Sequence, residues 1–210
     1  MTYHAEDLRP VPRQQQYLVP TTSDGGFGSA VSTGVGFLAV IWAVFVVDAV
    51  VFGGRLSQFG LHPRDSSGWY GIFLAPLLHA NLAHVMSNSL AGALFASLIA
   101  FTSKRLFWQV TLIVTVIAGA LTWLIGGINT VHIGASGLVY GWLAFLIVRG
   151  FVNKSIVQAI LGIILASTYS GLIWGVVPTQ AAVSWEMHFF GALGGILAAV
   201  WLKRGRQRVR

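Results

Sequence analysis

VHIGASGLVYGW, residues 131–142, sets one serine between small residues in a strongly apolar stretch. It reads as the opening of a helix that is short for a membrane. From Ser136 to Arg149 is 13 residues, about 20 Å at helical rise, whereas a hydrocarbon core is about 30 Å thick. If Arg149 marks one edge of a bilayer, Ser136 lies inside it, roughly 10 Å below the opposite surface. Irregular backbone at that depth is tolerated only where it is buried in protein or lines a wet cavity. The serine is therefore either small packing material at a helix contact or a reactive group.

The composition requires the bilayer. Of 210 residues, 55% are hydrophobic and 9% are charged, against roughly 25% charged in soluble domains. The absence of cysteine excludes a disulfide framework and a thiolate metal site. Six apolar segments, roughly 30–52, 82–101, 107–127, 134–148, 156–177 and 187–202, are mostly near the ~20 residues of a spanning helix. The expected fold is all-α, a polytopic bundle of six transmembrane helices over residues 30–202. Residues 1–29 read as a flexible polar tail and 203–210 as a short basic one. Residues 53–81 read as a partly embedded first loop, with Trp69 and Tyr70 suited to interfacial depth.

The net charge of +7 would suit nucleic acid, but its placement argues against that partner. Six spans put both termini on one side. That side takes every one of the 13 Lys and Arg except Arg55 and Arg64. The positive-inside rule then places both termini in the cytoplasm. The basic tail reads as an inner-leaflet anchor, and Asp48 as an outer-end residue reaching headgroups or Arg55.

Three other polar residues reach the depth of Ser136. His188 is 15 residues before Lys203 and Asn88 is 16 before Lys104, about 22 and 24 Å above the inner edge. His84 shares a helix face with Asn88 at i,i+4 spacing. Polar groups inside a membrane are costly and are functional candidates. Serine needs an adjacent base to act as a nucleophile, and histidine can take and return its proton. The six acids offer no good third member, since Glu186, two residues from His188, would face elsewhere. A Ser136–His188 dyad follows, with His84, Asn88 and the Ser136 N–H able to donate to an oxyanion. Gly134 lets backbone approach a substrate closely. Tyr140, one turn after Ser136, can pack on the imidazole. Gly137 and Gly141, and Gly191 and Gly195, form two small-residue faces for close helix contact. GASGL is not a nucleophile elbow, because position 138 is leucine.

Taken together, HANLAHVMSN (79–88), GASGLVYG (134–141) and HFFGALGG (188–195) resemble the rhomboid intramembrane serine proteases in order and spacing. The resemblance covers about residues 30–202, in the basic six-helix bacterial form. It implies a cell-membrane endopeptidase that cuts transmembrane proteins near their outer ends, without metal or small-molecule cofactor. Ser136 would be the nucleophile, His188 the base, and His84 and Asn88 the oxyanion support. His79 would be structural beneath the first loop, and Tyr140 would stack on His188. Two positions depart from the pattern. Tyr70 and Gly71 stand where many members carry Trp-Arg, and Met187 stands where many carry a small residue.

Plainer readings stay open beside these. His188 alone fits an interhelical hydrogen bond, and His84 and Asn88 could bond each other across a turn. His132 reads as a loop residue. A metal site from His79, His84 and His188 lacks a carboxylate at that depth. A catalytically silent protein of the same fold that binds membrane helices is the alternative function. A small transporter is a third, opposed by the lack of an inverted repeat.

Overall fold

The computed structural model describes residues 24–179 and 183–203. Most of the expected 1–29 tail, with Arg9 and Arg13, lies outside the described residues, as do Arg204, Arg206, Arg208 and Arg210. The main helices are α1 (Phe27–Val47), α3 (Leu82–Thr102), α4 (Lys104–Ile125), α5 (Ser136–Val152), α6 (Ile156–Thr168) and α7 (Trp185–Trp201). The first loop carries a short helical turn, α2 (Gly71–Leu74), and 3₁₀ turns at Arg55–Phe59 and Ala75–Leu77. Phe27, Gly28 and Ser29, expected in the tail, already belong to α1. Among the described residues there is no strand, only an isolated antiparallel bridge between Leu61 and His132.

Three helical stretches are long and apolar enough to cross a membrane: Phe27–Phe52, Leu82–Thr102 and Lys104–Ile125. The expected fifth span is not one straight helix. It breaks after Thr168, and the 3₁₀ segment Ser170–Val176 leaves α6 at 68°. The break falls in Ser167-Thr168-Tyr169-Ser170-Gly171, where hydroxyl side chains compete for backbone groups and glycine adds freedom. α5 and α7 have 17 residues each, about 25 Å at helical rise.

The start of the fold is held by backbone bonds. The Lys104 N–H donates to the Asp24 carbonyl at 3.1 Å, and the Gly26 N–H to Phe101 at 2.8 Å. Ser103 caps α4 through Leu106, while the Asp24 carboxylate accepts from the Arg105 N–H at 2.7 Å. That amide, together with the Ser103 hydroxyl, holds the exposed Asp24 carboxyl below its usual pKa. α1 then lies along α3, with Trp42 donating to Ser89 and Ser97 to the Ala30 carbonyl.

The core is aromatic and central. Trp142 is buried between Phe37 and Phe107, each ring 5.4 Å away, and its indole N–H donates to Thr111. Its neighbours include Phe95, Ile99, Val110, Val114 and Phe145. Arg149, taken from the sequence as an edge marker, is buried, with its guanidinium carbon 5.2 Å from the Phe145 ring centre. Large apolar side chains cover the outside of the bundle, the arrangement lipid favours.

The first loop is fastened rather than loose. Leu61 and His132 exchange backbone bonds of 2.9 Å, and the Gly134 N–H donates to Ala75. Arg64 reaches the carbonyls of Leu124 and Gly126, completing the C-terminal end of α4. Asp48 departs from the sequence expectation. It is buried, and its carboxylate accepts the Leu56 N–H at 2.9 Å. Arg55 instead donates to the Phe52 carbonyl. Gly71 has a steric reason, since a Cβ there would meet the Gly60 carbonyl and the Leu61 Cα.

Candidate active site

The two small-residue faces meet, and α5–α7 is the most extensive helix contact. A Cβ on Gly191 would run into the Gly137 carbonyl, and one on Gly195 into the Gly141 carbonyl. A Cβ on Gly141 would in turn meet Val114 and the Gly191 carbonyl. Backbones touch here because no side chain separates them. That closeness sets the first residue of α5 beside the first turn of α7.

Ser136 Oγ and His188 Nε2 are 2.7 Å apart. The other imidazole nitrogen, Nδ1, is 2.9 Å from the Gly175 carbonyl oxygen. A carbonyl can only accept, so Nδ1 carries the proton and Nε2 is left to accept from the serine. The Tyr140 ring stacks on the imidazole, with centres 4.1 Å apart and planes 10° apart. Its hydroxyl donates to the Leu172 carbonyl at 2.7 Å.

His84 and Asn88 rise beside this pair from α3. The Asn88 amide donates to the His84 carbonyl at 2.9 Å. An amide NH2 has two hydrogens, so one donor remains for another acceptor. The His84 ring lies against Gly134. A Cβ there would strike its imidazole, and Gly134 also has φ +111°, which glycine adopts without strain. His79 is buried behind it, edge-on to His84 at 5.1 Å, and its Nε2 faces the Ala135 N–H at 3.5 Å. The Ser136 N–H belongs to the first turn of α5, where amides have no intrahelical acceptor.

These groups surround a cavity of about 920 Å³ that opens at one end of the bundle. Ser136, His188, His84 and Asn88 line it together with Glu186 and Thr130. Its size falls within the roughly 300–1,000 Å³ typical of ligand pockets. Met187 packs against Gly137 beside it. Among the described residues, no group of three or more His, Asp or Glu is arranged to hold a metal ion.

Two features of the site carry no motif. One is the pair of carbonyls from Leu172 and Gly175; a backbone acceptor leaves no residue-type signal except the glycine that makes room for it. The other is His132. It is buried and bonded through Nε2 to Thr130 at 2.9 Å and through Nδ1 to Ser184, just before α7. Burial holds its pKa below the usual histidine value. It thus ties the loop before α5 to the start of α7.

The family model described as the rhomboid domain matches residues 66–205. An uncharacterized protein of Mycobacterium tuberculosis is 33% identical over 210 residues, covering 96% of this chain and 87% of its own length. An uncharacterized protein of Mycobacterium leprae is 35% identical over 183 residues, covering 83% and 72%. YdcA of Bacillus subtilis, named as a candidate rhomboid protease, is 25% identical over 175 residues, covering 81% and 86%.

Proposed function

The chain belongs to the rhomboid family, and from that premise we propose that it is an intramembrane serine endopeptidase with a Ser136–His188 dyad. The observation that carries this reading is the 2.7 Å contact between Ser136 Oγ and His188 Nε2, with Nδ1 occupied by a carbonyl. Ser136 Oγ attacks the scissile carbonyl carbon while Nε2 takes its proton. The developing oxyanion is met by the Ser136 N–H, the spare Asn88 hydrogen and the His84 ring. The imidazolium then gives its proton to the leaving amine, and the carboxy-terminal fragment departs with that amine as its new terminus. Water attacks the acyl-serine, losing its proton to Nε2, and the second product leaves with the serine restored.

Topology follows from charge and helix order. Six apolar segments cross the bilayer, with α6 and its bent extension as the fifth and both termini in the cytoplasm. The cavity then opens outward in a cell membrane. This supplies the water that hydrolysis needs. The substrate class is a membrane protein whose spanning helix carries small or helix-breaking residues near its outer end. Such a segment can leave the helical form and present the extended backbone a serine must attack.

The test is cleavage of a model transmembrane substrate by purified protein in detergent and in vesicles, beside Ser136→Ala and His188→Ala. Wild type cuts, and each variant loses at least about 10⁴-fold in rate while keeping its unfolding midpoint. Equal cutting by all three would overturn the dyad. Substrate binding without cutting would favour the helix-binding alternative.

A further inference from the structure

Among the described residues, no carboxylate stands behind the proposed base. What stands there is the segment Ser170–Val176, which holds both members of the Tyr140–His188 stack by backbone carbonyls. The Gly175 carbonyl takes Nδ1–H, and the Leu172 carbonyl takes the phenol. None of the seven residues of the segment is fully buried. It therefore sits on the site through these two bonds and light packing. Gly175 is confined, because a Cβ there would meet the Tyr140 hydroxyl and come within 3.0 Å of His188 Nδ1. Gly171, four residues earlier, would meet nothing within 4 Å.

We infer that Gly175 is a positioning residue, and that docking of the Ser170–Val176 segment arms the base. With the segment seated, the Gly175 carbonyl selects the Nδ1–H tautomer and leaves Nε2 to accept the Ser136 proton. With the segment lifted, the imidazole loses that selection and its stacked tyrosine loses its anchor. A substrate helix that enters by displacing this segment meets an unoriented base until the segment reseats. Entry and chemistry are thereby coupled through two hydrogen bonds. The inference rests on the dyad reading given above.

The experiment compares wild type with Gly175→Ala and Gly171→Ala. It reads labelling of Ser136 by a small fluorophosphonate, cleavage of a transmembrane substrate, and the imidazole ¹⁵N spectrum of histidine-labelled protein. Losing one oriented hydrogen bond corresponds to a drop of up to about tenfold. Gly175→Ala should slow labelling and kcat by about that factor, leave KM within about twofold, and mix the His188 tautomers. Gly171→Ala should match wild type in all three. Tyr140→Phe, which keeps the ring and loses the phenol, should give a smaller loss of the same kind.

Unchanged labelling and tautomer in Gly175→Ala, with only KM or substrate cleavage altered, would overturn the inference and leave the segment a plain entry gate. Slower labelling with an unmixed tautomer and a lowered unfolding midpoint would also overturn it. The tautomer is read in the resting protein and needs no reactive serine. A failed dyad reading would therefore appear separately, as wild type that does not label although its tautomer is ordered.

Discussion

His188 is approached from two sides by elements built in opposite ways. On one side, α5 and α7 meet glycine to carbonyl, with Gly141, Gly191 and Gly195 leaving no room for a Cβ. On the other, α6 also packs glycine to backbone on α5, at Gly150 and Gly162, but its bent extension Ser170–Val176 buries nothing fully. The first contact cannot loosen by degrees, because backbone atoms set its spacing. The bent extension is held by a few hydrogen bonds and can part from the bundle at small cost. One side fixes where the serine and histidine are. The other fixes which nitrogen of the histidine is ready.

The sharpest way to break this contrast is to enlarge the seam. In Gly195→Val the new side chain meets the Gly141 carbonyl, an atom that cannot swing away. Overpacking a well-filled contact costs about 1–3 kcal/mol, and a backbone neighbour puts this case at the upper end. Thermal unfolding in detergent should show a midpoint lower by several degrees, and fluorophosphonate labelling of Ser136 should fall to background. A variant that labels normally would mean the seam yields, and the rigid side of the comparison would be lost.

A smaller effect is expected from the tie at the mouth of the seam. His132→Ala removes the bonds to Thr130 and Ser184. Net hydrogen bonds are worth about 1 kcal/mol each, so the loss should be about 2 kcal/mol in unfolding free energy. Labelling should slow modestly, because the glycine contacts still hold the lower turns. An unchanged midpoint would show that α7 is positioned by the glycines alone.

The same contrast explains what the sequence could disclose. The convergence of Ser136, His188, His84 and Asn88 on one cavity was legible because helical rise places them at one depth. The glycine faces were legible because three intervening residues return to the same side of a helix. The Gly175 and Leu172 carbonyls were not, since any residue supplies a carbonyl. The break after Thr168 was hidden because the stretch is apolar enough to read as one span. Asp48 was misplaced because composition cannot tell a carboxylate that reaches outward from one that folds back on the Leu56 amide. The first loop was legible as a region and not as a structure. Its attachment at Leu61 and His132 is a two-residue bridge with no periodicity to read.

The least effect should come from the outer face of α6. Ile156, Val157, Ile160, Ile163 and Ile164 are all exposed on the bundle, Ile156 and Val157 at 78%. In water such a stripe would seek a partner. In a bilayer, lipid tails are as apolar as the side chains, so burial offers little further gain. Ile160→Ala removes methylene groups from contact with lipid rather than from a packed core, and leaves no cavity inside the protein. Its unfolding midpoint should therefore stay near wild type, within about 0.5 kcal/mol. Labelling of Ser136 should not change, because neither Gly175 nor Leu172 lies on that face. A large loss of stability would mean that α6 packs against another protein surface there. The bent extension would then be anchored through α6 as firmly as the seam, and the difference between the two sides of His188 would disappear.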